Sequence, residues 1–199
     1  MRENIYLKKY TKRDRKKYPP FVYHPDPVRT QVFEVNDPPV ICECCGEKTK
    51  LSYTYPFISE VYDIDALCPA CVASGKPAAE KDGEYHRMEY LEHVDDPART
   101  ETLLHHTPGI LSYDDVLWRA HCDDYCAYLG VYRYTELKRD GLLSELWEDP
   151  LTDRSRWNDK TLAKSRNEYH LGFLIHVFEC LTCGRHLFFI DEDYEGRYE

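Results

Sequence analysis

The chain has 199 residues, of which 42% are hydrophobic, a composition that suits one folded domain and disfavours wholesale disorder. No segment approaches the roughly 20 consecutive apolar residues of a membrane-spanning helix. The charged N-terminus has no apolar stretch typical of a signal peptide. We therefore expect a cytoplasmic protein without a membrane partner. Thiols stay reduced in that compartment, so the dense cysteine pairs are expected to bind metal rather than to form disulfides. The odd number of cysteines, nine, also argues against a fully paired disulfide framework.

The charge of the chain is unevenly distributed. Between Arg2 and Lys17, eight Lys and Arg accompany two acidic residues, a local charge of +6. Because the total is −10, the remainder carries −16. An acidic body repels nucleic-acid phosphates and attracts a basic protein partner. We predict a basic, flexible arm over residues 1–20, a single domain over residues 21–193 and an acidic tail over residues 194–199.

The segment "FVYHPDPVRT" follows the basic arm. Pro25 and Pro27 impose extended or turn geometry on the residues before them, which predicts an ordered coil. His24 and Asp26 within it have two interpretations. They are either catalytic groups or residues that form turns and cap backbone groups.

Hydrophobic periodicity predicts most of the remaining elements. The alternation in "KLSYTYPF" is typical of a half-buried strand, and residues 97–106 are weakly helical. "YTELKRDGLLSELWED" predicts a helix that is interrupted or ends near Gly141. "FLIHVFECLTCGRHLFFIDED" predicts a hairpin whose two strands are joined by a cysteine turn. The predicted fold class is α+β, with small zinc-ribbon-like cysteine knuckles on a mixed domain.

The segment "SYDDVLWRAHCDDYCAYLG" predicts a capped central helix. Ser112 is a favourable N-cap, Asp115 stands three residues later as in a capping box, and Gly130 supplies the end. The apolar residues of the segment fall on one helical face, formed by Trp118, Cys122, Tyr125, Cys126 and Leu129.

Two C-x-x-C pairs predict a structural zinc site. Cys42 and Cys45 precede Gly46, and Cys68 and Cys71 follow 22 residues later. Tetrahedral zinc takes four thiolates at about 2.3 Å, and a C-x-x-C turn points two sulfurs at one ion. Cys44 is left over. We interpret it as a small buried side chain rather than as a spare ligand or a reactive thiol.

A second zinc site is predicted around Cys180 and Cys183, which form another knuckle before Gly184. Its other two ligands are expected from His121, Cys122 and Cys126. His176 and His186 flank the knuckle as reserve ligands. The alternative is that Cys122 and Cys126 are plain core residues on an apolar face.

Enzymatic motifs are absent from the sequence. An all-cysteine site is closed, whereas a catalytic zinc keeps an open position. The sequence has no H-E-x-x-H, no G-x-S-x-G and no phosphate loop. Its Cys68-Pro69-Ala70-Cys71 order also differs from the nucleobase-deaminase signature.

Several segments resemble the CbrC family of bacterial proteins. They are "YHPDP", "CECCG", "YPFISE", "LCPACVASGKPAAEKDGEY", "TPGILSYDDVLWRAHCDDYCAYLG" and "VFECLTCGRHLFFIDED", in order from about Phe21 to Asp193. Members keep both cysteine knuckles and the pair that is His121-Cys122 here, while this chain departs at Ala70, where members often have Trp. The family name is tied to colicin tolerance, so the resemblance implies a bacterial protein linked to surviving a toxin.

Together these features predict a non-enzymatic, zinc-stabilised interaction protein. Its most specific form is an immunity protein that binds a basic toxin domain through an acidic surface. The main rival is a hydrolytic enzyme that uses residues among His24, Asp26, His105, His106 and His121. A third hypothesis is a regulatory module whose basic arm contacts nucleic acid.

Overall fold

A computed structural model describes residues 18–55, 57–60, 62–112, 115–163 and 173–192. The predicted arm, apart from its last three residues, and the predicted acidic tail lie outside these ranges. Within them, small antiparallel sheets accompany short helices, which confirms the α+β class. No helix in this described part is long and apolar enough to span a bilayer.

The described residues divide into two compact units. The first unit contains the described residues up to Glu89 together with Pro97–Leu111. The second contains Tyr90–Asp96 and the described residues from Ser112 onward. Buried apolar residues form a cluster within each unit, so each has its own core.

The first unit is organised around an antiparallel hairpin of β1 (Phe33–Ile41) and β2 (Lys48–Tyr53), which confirms the strand predicted from alternation. The helix predicted over residues 97–106 is also confirmed. The other elements of this unit are α1 (Pro69–Ser74), α2 (Lys76–Lys81), α3 (Pro97–His106) and the short pair of β3 (Ile58–Ser59) with β4 (Gly83–Glu84).

Aromatic rings fill the core of the first unit. The ring centroid of Tyr53 lies 5.9 Å from that of Phe33 and 5.3 Å from that of Tyr85, both in edge-on geometry. Edge-to-face contacts add about 1 kcal/mol each beyond area burial. Val28 belongs to the same core, and Thr30 N–H donates to the Asp26 carbonyl over 3.2 Å. These contacts confirm that the coil around residues 21–30 is ordered.

The second unit is built on a three-stranded sheet, in the order β7 (Ala127–Val131), β8 (Phe173–Glu179) and β9 (His186–Glu192). The predicted C-terminal hairpin is therefore confirmed. Gly141, at φ +76°, separates two helices as predicted. The helices of this unit are α4 (Tyr134–Arg139), α5 (Leu143–Glu148) and α6 (Asp159–Leu162).

A buried ionic network lies within the second unit. The Arg119 guanidinium, 2% exposed, donates to both Asp149 carboxylate oxygens over 3.1 and 3.0 Å and to Glu92 over 3.0 Å. Asp149 also accepts the Phe188 N–H over 2.9 Å. Burial of two charges is tolerated here because both are hydrogen-bonded on several sides.

The predicted central helix from Ser112 to Leu129 is wrong. Its described part forms β5 (Ala120–His121) and β6 (Asp124–Tyr125) and then enters β7. Cys122 and Asp123 have φ values of +54° and +58°, which a right-handed helix cannot contain. The spacing of the apolar residues fits a helix, but it does not require one. Two short strands joined by a tight turn also place the apolar residues before and after the turn in one core, so the same spacing is compatible with both structures.

Candidate metal centres

The first cysteine knuckle is the connection between β1 and β2. Cys42 N–H donates to the Glu47 carbonyl over 2.9 Å, and Gly46 N–H donates to the Cys42 carbonyl over 2.8 Å. Gly46 takes φ +75°, which glycine adopts without the steric cost of a Cβ. The backbone of residues 42–47 therefore closes into a tight loop by itself.

The N-terminus of α1 supplies the other half of the first site. Cys68 is the N-cap residue, and its Sγ accepts the Cys71 N–H over 3.4 Å. The Cys45 Sγ lies 3.9 Å from the Cys68 Sγ. The ligand atoms of all four cysteines lie within 4.8 Å of one another. Pro69 at the first helical position fixes the start of α1 and so the direction of both thiols.

The thiols of the first site differ in acidity. Burial raises the pKa of Cys42, but hydrogen bonds from the backbone N–H groups of Cys68, Cys45 and Cys44 outweigh it and lower the value to about 7. Burial raises the pKa of Cys71 far above that of an ordinary thiol. The backbone donors therefore favour the ionised form of Cys42, and a cation that binds all four sulfurs must displace the protons that remain on them.

The second knuckle is the connection between β8 and β9, and it repeats the backbone pattern of the first. Cys180 N–H donates to the Arg185 carbonyl over 2.8 Å, and Gly184 N–H donates to the Cys180 carbonyl over 2.9 Å. Gly184 has φ +72°. Each unit thus carries one hairpin that ends in the same cysteine loop.

The turn between β5 and β6 supplies the other half of the second site. His121 Nδ1 lies 3.2 Å from the Cys122 Sγ and 3.4 Å from the Cys183 Sγ. The Cys180 Sγ lies 3.6 Å from the His121 carbonyl oxygen. The ligand atoms of the set lie within 4.8 Å of one another, and the set is His121, Cys122, Cys180 and Cys183.

The second site also has one acidic thiol. Burial raises the pKa of Cys180, but the Cys183 N–H, a contact with His121 and the Thr182 N–H together lower it to about 6. Partial desolvation and thiol contacts with Cys183 and Cys180 raise the pKa of Cys122 to about 11. The arrangement parallels the first site, because in both knuckles the first cysteine has the lowered pKa.

Both groups fit a tetrahedral soft cation. Zinc–sulfur bonds of about 2.3 Å put neighbouring sulfurs about 3.8 Å apart, and a sulfur and an imidazole nitrogen about 3.6 Å apart. The observed Cys45–Cys68 separation is 3.9 Å, and the Cys183–His121 separation is 3.4 Å. Thiolate and imidazole are also the donors that such ions prefer.

Cys126, the third predicted source of ligands for the second site, lies outside the group. It is fully buried, its carbonyl accepts the Trp118 indole N–H over 3.0 Å, and burial raises the pKa of its thiol.

Cys44 is half-buried beside Cys71, and burial raises its pKa. The reserve histidines have other partners, since His186 Nδ1 lies 3.3 Å from Glu145 carboxylate oxygens.

His24, for which a catalytic and a structural interpretation were both open, is a core residue. His24 is fully buried, with Nδ1 3.0 Å from the Pro108 carbonyl and Nε2 2.6 Å from the Thr30 hydroxyl. Burial lowers its pKa to about 4. Asp26 accepts the Arg29 N–H over 3.2 Å, as a turn residue does.

The two histidines at the end of α3 also have structural partners. His105 Nδ1 lies 2.8 Å from a Glu101 carboxylate oxygen one helical turn earlier. His106 Nδ1 donates to the Ala73 carbonyl at 2.9 Å, and its ring stands against Gly75, where an added Cβ would lie 2.4 Å from it. Glycine at position 75 is therefore required for α1 and α3 to approach.

The sequence analysis did not predict a buried network of polar side chains that crosses the sheet of the second unit. His176 Nδ1 lies 3.0 Å from the Tyr128 hydroxyl, and its Nε2 lies 3.6 Å from an Asp191 carboxylate oxygen. All three side chains are at most 2% exposed. No local sequence pattern predicts this network, because its three residues lie on three different strands that pair only in the tertiary structure.

The comparisons with known proteins agree with one another. The model of the uncharacterised protein family UPF0167 matches residues 18–192. UPF0167 proteins of Mycobacterium bovis and Mycobacterium tuberculosis are each 31% identical over 88% of this chain and 94% of their own length. A UPF0167 protein of Pseudomonas aeruginosa is 28% identical over 84% of this chain and 93% of its own. No solved structure matches. The resemblance to the CbrC family is compatible with these matches, and the chain belongs to the UPF0167 family.

Proposed function

We propose that the chain is a non-enzymatic binding protein whose two units are each stabilised by one structural zinc ion. The observation that carries the proposal is the closure of both ligand groups. Each has four protein donors around one point, so a tetrahedral ion in it keeps no position for a substrate. Zinc is the ion of choice because it takes thiolate and imidazole donors in a four-coordinate tetrahedral arrangement.

The surroundings of the candidate catalytic groups support a binding role. Both ring nitrogens of His24 form hydrogen bonds, one with the Pro108 carbonyl and one with the Thr30 hydroxyl, and Nδ1 of His106 forms a hydrogen bond with the Ala73 carbonyl. His121 lies in a metal-ligand group. A general acid or base must reach a substrate proton, and a fully buried His24 cannot do so.

We propose a basic protein as the partner, and a toxin nuclease domain as its most specific form. The chain has a net charge of −10, or −16 without the basic arm. Nuclease domains are basic because they bind phosphates, so an acidic inhibitor gains association rate through steering. The resemblance to the CbrC family, with its link to colicin tolerance, supports the same choice.

The proposal is tested with the purified chain and the basic nuclease domain of a colicin-type toxin. Metal analysis should find two zinc ions per chain. Association should slow as salt rises, since surface fields are screened over about 8 Å at physiological ionic strength, while dissociation should change little. His105→Ala and His106→Gln should keep both protection and binding. If either variant bound the toxin normally but lost protection, the hydrolytic alternative would replace this proposal.

The basic arm has its own control. A chain that begins at Tyr18 should still bind the toxin, because the proposed surface belongs to the acidic body. If the truncated chain lost binding and the full chain bound nucleic acid, the third hypothesis, a regulatory module, would be favoured.

A further inference from the structure

The two metal-ligand groups differ in how well solvent reaches their sulfurs. In the first group, Cys42 and Cys71 are buried and only Cys45 is well exposed. In the second group, Cys122 and Cys183 are both exposed, and they come from opposite halves of the site. Every cysteine pair that joins the two halves of the first site includes a buried or half-buried residue, whereas in the second site Cys122 and Cys183 form a pair in which both residues are exposed.

The sulfurs of the exposed pair also lie near each other, within 4.8 Å. His121 Nδ1 lies 3.2 Å from the Cys122 Sγ and 3.4 Å from the Cys183 Sγ, so both sulfurs lie beside one ring. A disulfide bond needs sulfurs roughly 2 Å apart, and rotation of the two exposed side chains can cover the remaining distance.

We infer that Cys122 and Cys183 form a modification site, at which a hydroperoxide converts the two thiols into a disulfide and the second metal site loses its ion. The inference rests on the proposed zinc ligation at that site. It goes beyond that ligation because it assigns different fates to the two sites of one chain.

The chemistry balances with a hydroperoxide as the oxidant. One exposed sulfur attacks a peroxide oxygen, the O–O bond breaks, and a sulfenic acid forms while hydroxide leaves. The other sulfur then displaces hydroxide from the sulfenic sulfur, and the S–S bond forms. The two sulfurs lose two electrons, the peroxide gains them, and both hydroxides take protons to leave as water when the oxidant is hydrogen peroxide.

The consequence for the site follows from its ligand count. After oxidation only His121 and Cys180 remain as donors, and two ligands do not hold a structural ion that needs four. The new bond joins the β5–β6 turn to the β8–β9 knuckle, so the turn stays attached while the ion leaves. In the first site the buried Cys42 and Cys71 shield the ion from the same reaction.

The test uses the full zinc-loaded chain and hydrogen peroxide. Ion release is followed with a chromophoric chelator, and disulfides are mapped by mass spectrometry after alkylation of the remaining thiols. We expect one ion per chain to be released quickly and one retained, with a Cys122–Cys183 crosslinked peptide that a reductant removes. Cys183→Ser should abolish the crosslink. Cys44→Ser, which removes a thiol outside both groups, should change neither readout.

Three results would overturn the inference. They are a first disulfide between Cys180 and Cys183, a first disulfide within the Cys42, Cys45, Cys68 and Cys71 group, and equal rates of ion loss from both sites. The proposed function fails separately. If the purified chain held no zinc, the crosslinked peptide would still report whether the exposed pair is the one that oxidises.

Discussion

The Cys68 backbone N–H donates to the Cys42 Sγ over 3.2 Å, across 26 residues of sequence. This hydrogen bond joins the start of α1 to the β1–β2 knuckle and helps to lower the pKa of Cys42. A backbone donor aimed at a ligand sulfur fixes the position of that sulfur and favours its ionised form. The protein fold therefore contributes to the first site by directing the Cys42 sulfur toward the other three thiols.

Removing a buried cysteine ligand should distinguish the stability that comes from metal binding from the stability that comes from side-chain packing. We expect Cys71→Ser to remove one zinc ion per chain and to lower the melting temperature of the first unit strongly, because structural zinc binding contributes free energy directly to folding. Cys44→Ser, a neighbouring thiol outside the group, should keep the ion and cost less than about 1 kcal/mol. Metal analysis and thermal unfolding provide the measurements. Equal melting temperatures for the zinc-loaded and zinc-stripped chains would falsify a structural role.

Three glycines should respond to alanine in a graded order. Gly46 and Gly184 have φ near +75°, and a Cβ added at either position would meet no other atom within 4 Å. Each substitution should therefore lower the free energy of unfolding only by the cost of holding alanine in a left-handed backbone conformation, about 1–2 kcal/mol. Gly75, at φ +69°, should cost more, because the new Cβ would meet the His106 ring at 2.4 Å. Urea unfolding of the three variants measures the order. A Gly75→Ala chain as stable as the other two would contradict the packing.

Buried histidines should make the chain less stable in acid. Burial lowers the pKa of His24 to about 4, lowers that of His86 to about 3, and lowers that of His176. The unfolded chain therefore binds more protons than the folded one below the ordinary histidine pKa near 6.5. The stability that these neutral, buried histidines allow is therefore fully present above pH 6.5. The free energy of unfolding falls progressively as the pH decreases toward 4, by about 3 kcal/mol for His24 alone.

Urea titrations at several pH values measure this loss. Acid also removes bound metal, so the informative quantity is the difference between wild type and His24→Gln in the same buffer. The variant should be less stable at pH 7 and should show a shallower decline between pH 6.5 and 4. Parallel curves for the two chains would mean that His24 does not carry the predicted linkage.

Two Arg–Asp pairs of different burial form a matched comparison. Asp149→Asn should destabilise the second unit by about 3–5 kcal/mol, because it leaves the 2%-exposed Arg119 poorly compensated. Asp140→Asn removes a contact with Arg139 of 2.6 Å, shorter than that of the buried pair, but the Arg139–Asp140 pair is exposed, so the change should have no measurable effect. Denaturant unfolding of both variants checks the contrast. Similar losses from the two changes would show that burial is not the deciding factor.

The sequence by itself determined the local parts of both candidate sites. In the C-x-x-C-G knuckles, hydrogen bonds join residues four and five positions apart, such as Gly46 to Cys42 and Cys42 to Glu47. Geometry of that range depends on neighbouring residues alone, so cysteine spacing and a following glycine predict it. Strand β2, the C-terminal hairpin and the break at Gly141 were predictable for the same reason.

Only the tertiary structure decided how the second site is completed. The spacing of apolar residues from Trp118 to Leu129 fits a helix, yet two consecutive residues with positive φ make a turn there. That turn brings His121 and Cys122 to a knuckle about 60 residues away and leaves Cys126 in the core. Such a choice depends on strand pairing and burial among distant segments, because the periodicity of one segment does not specify which surface it will pack against.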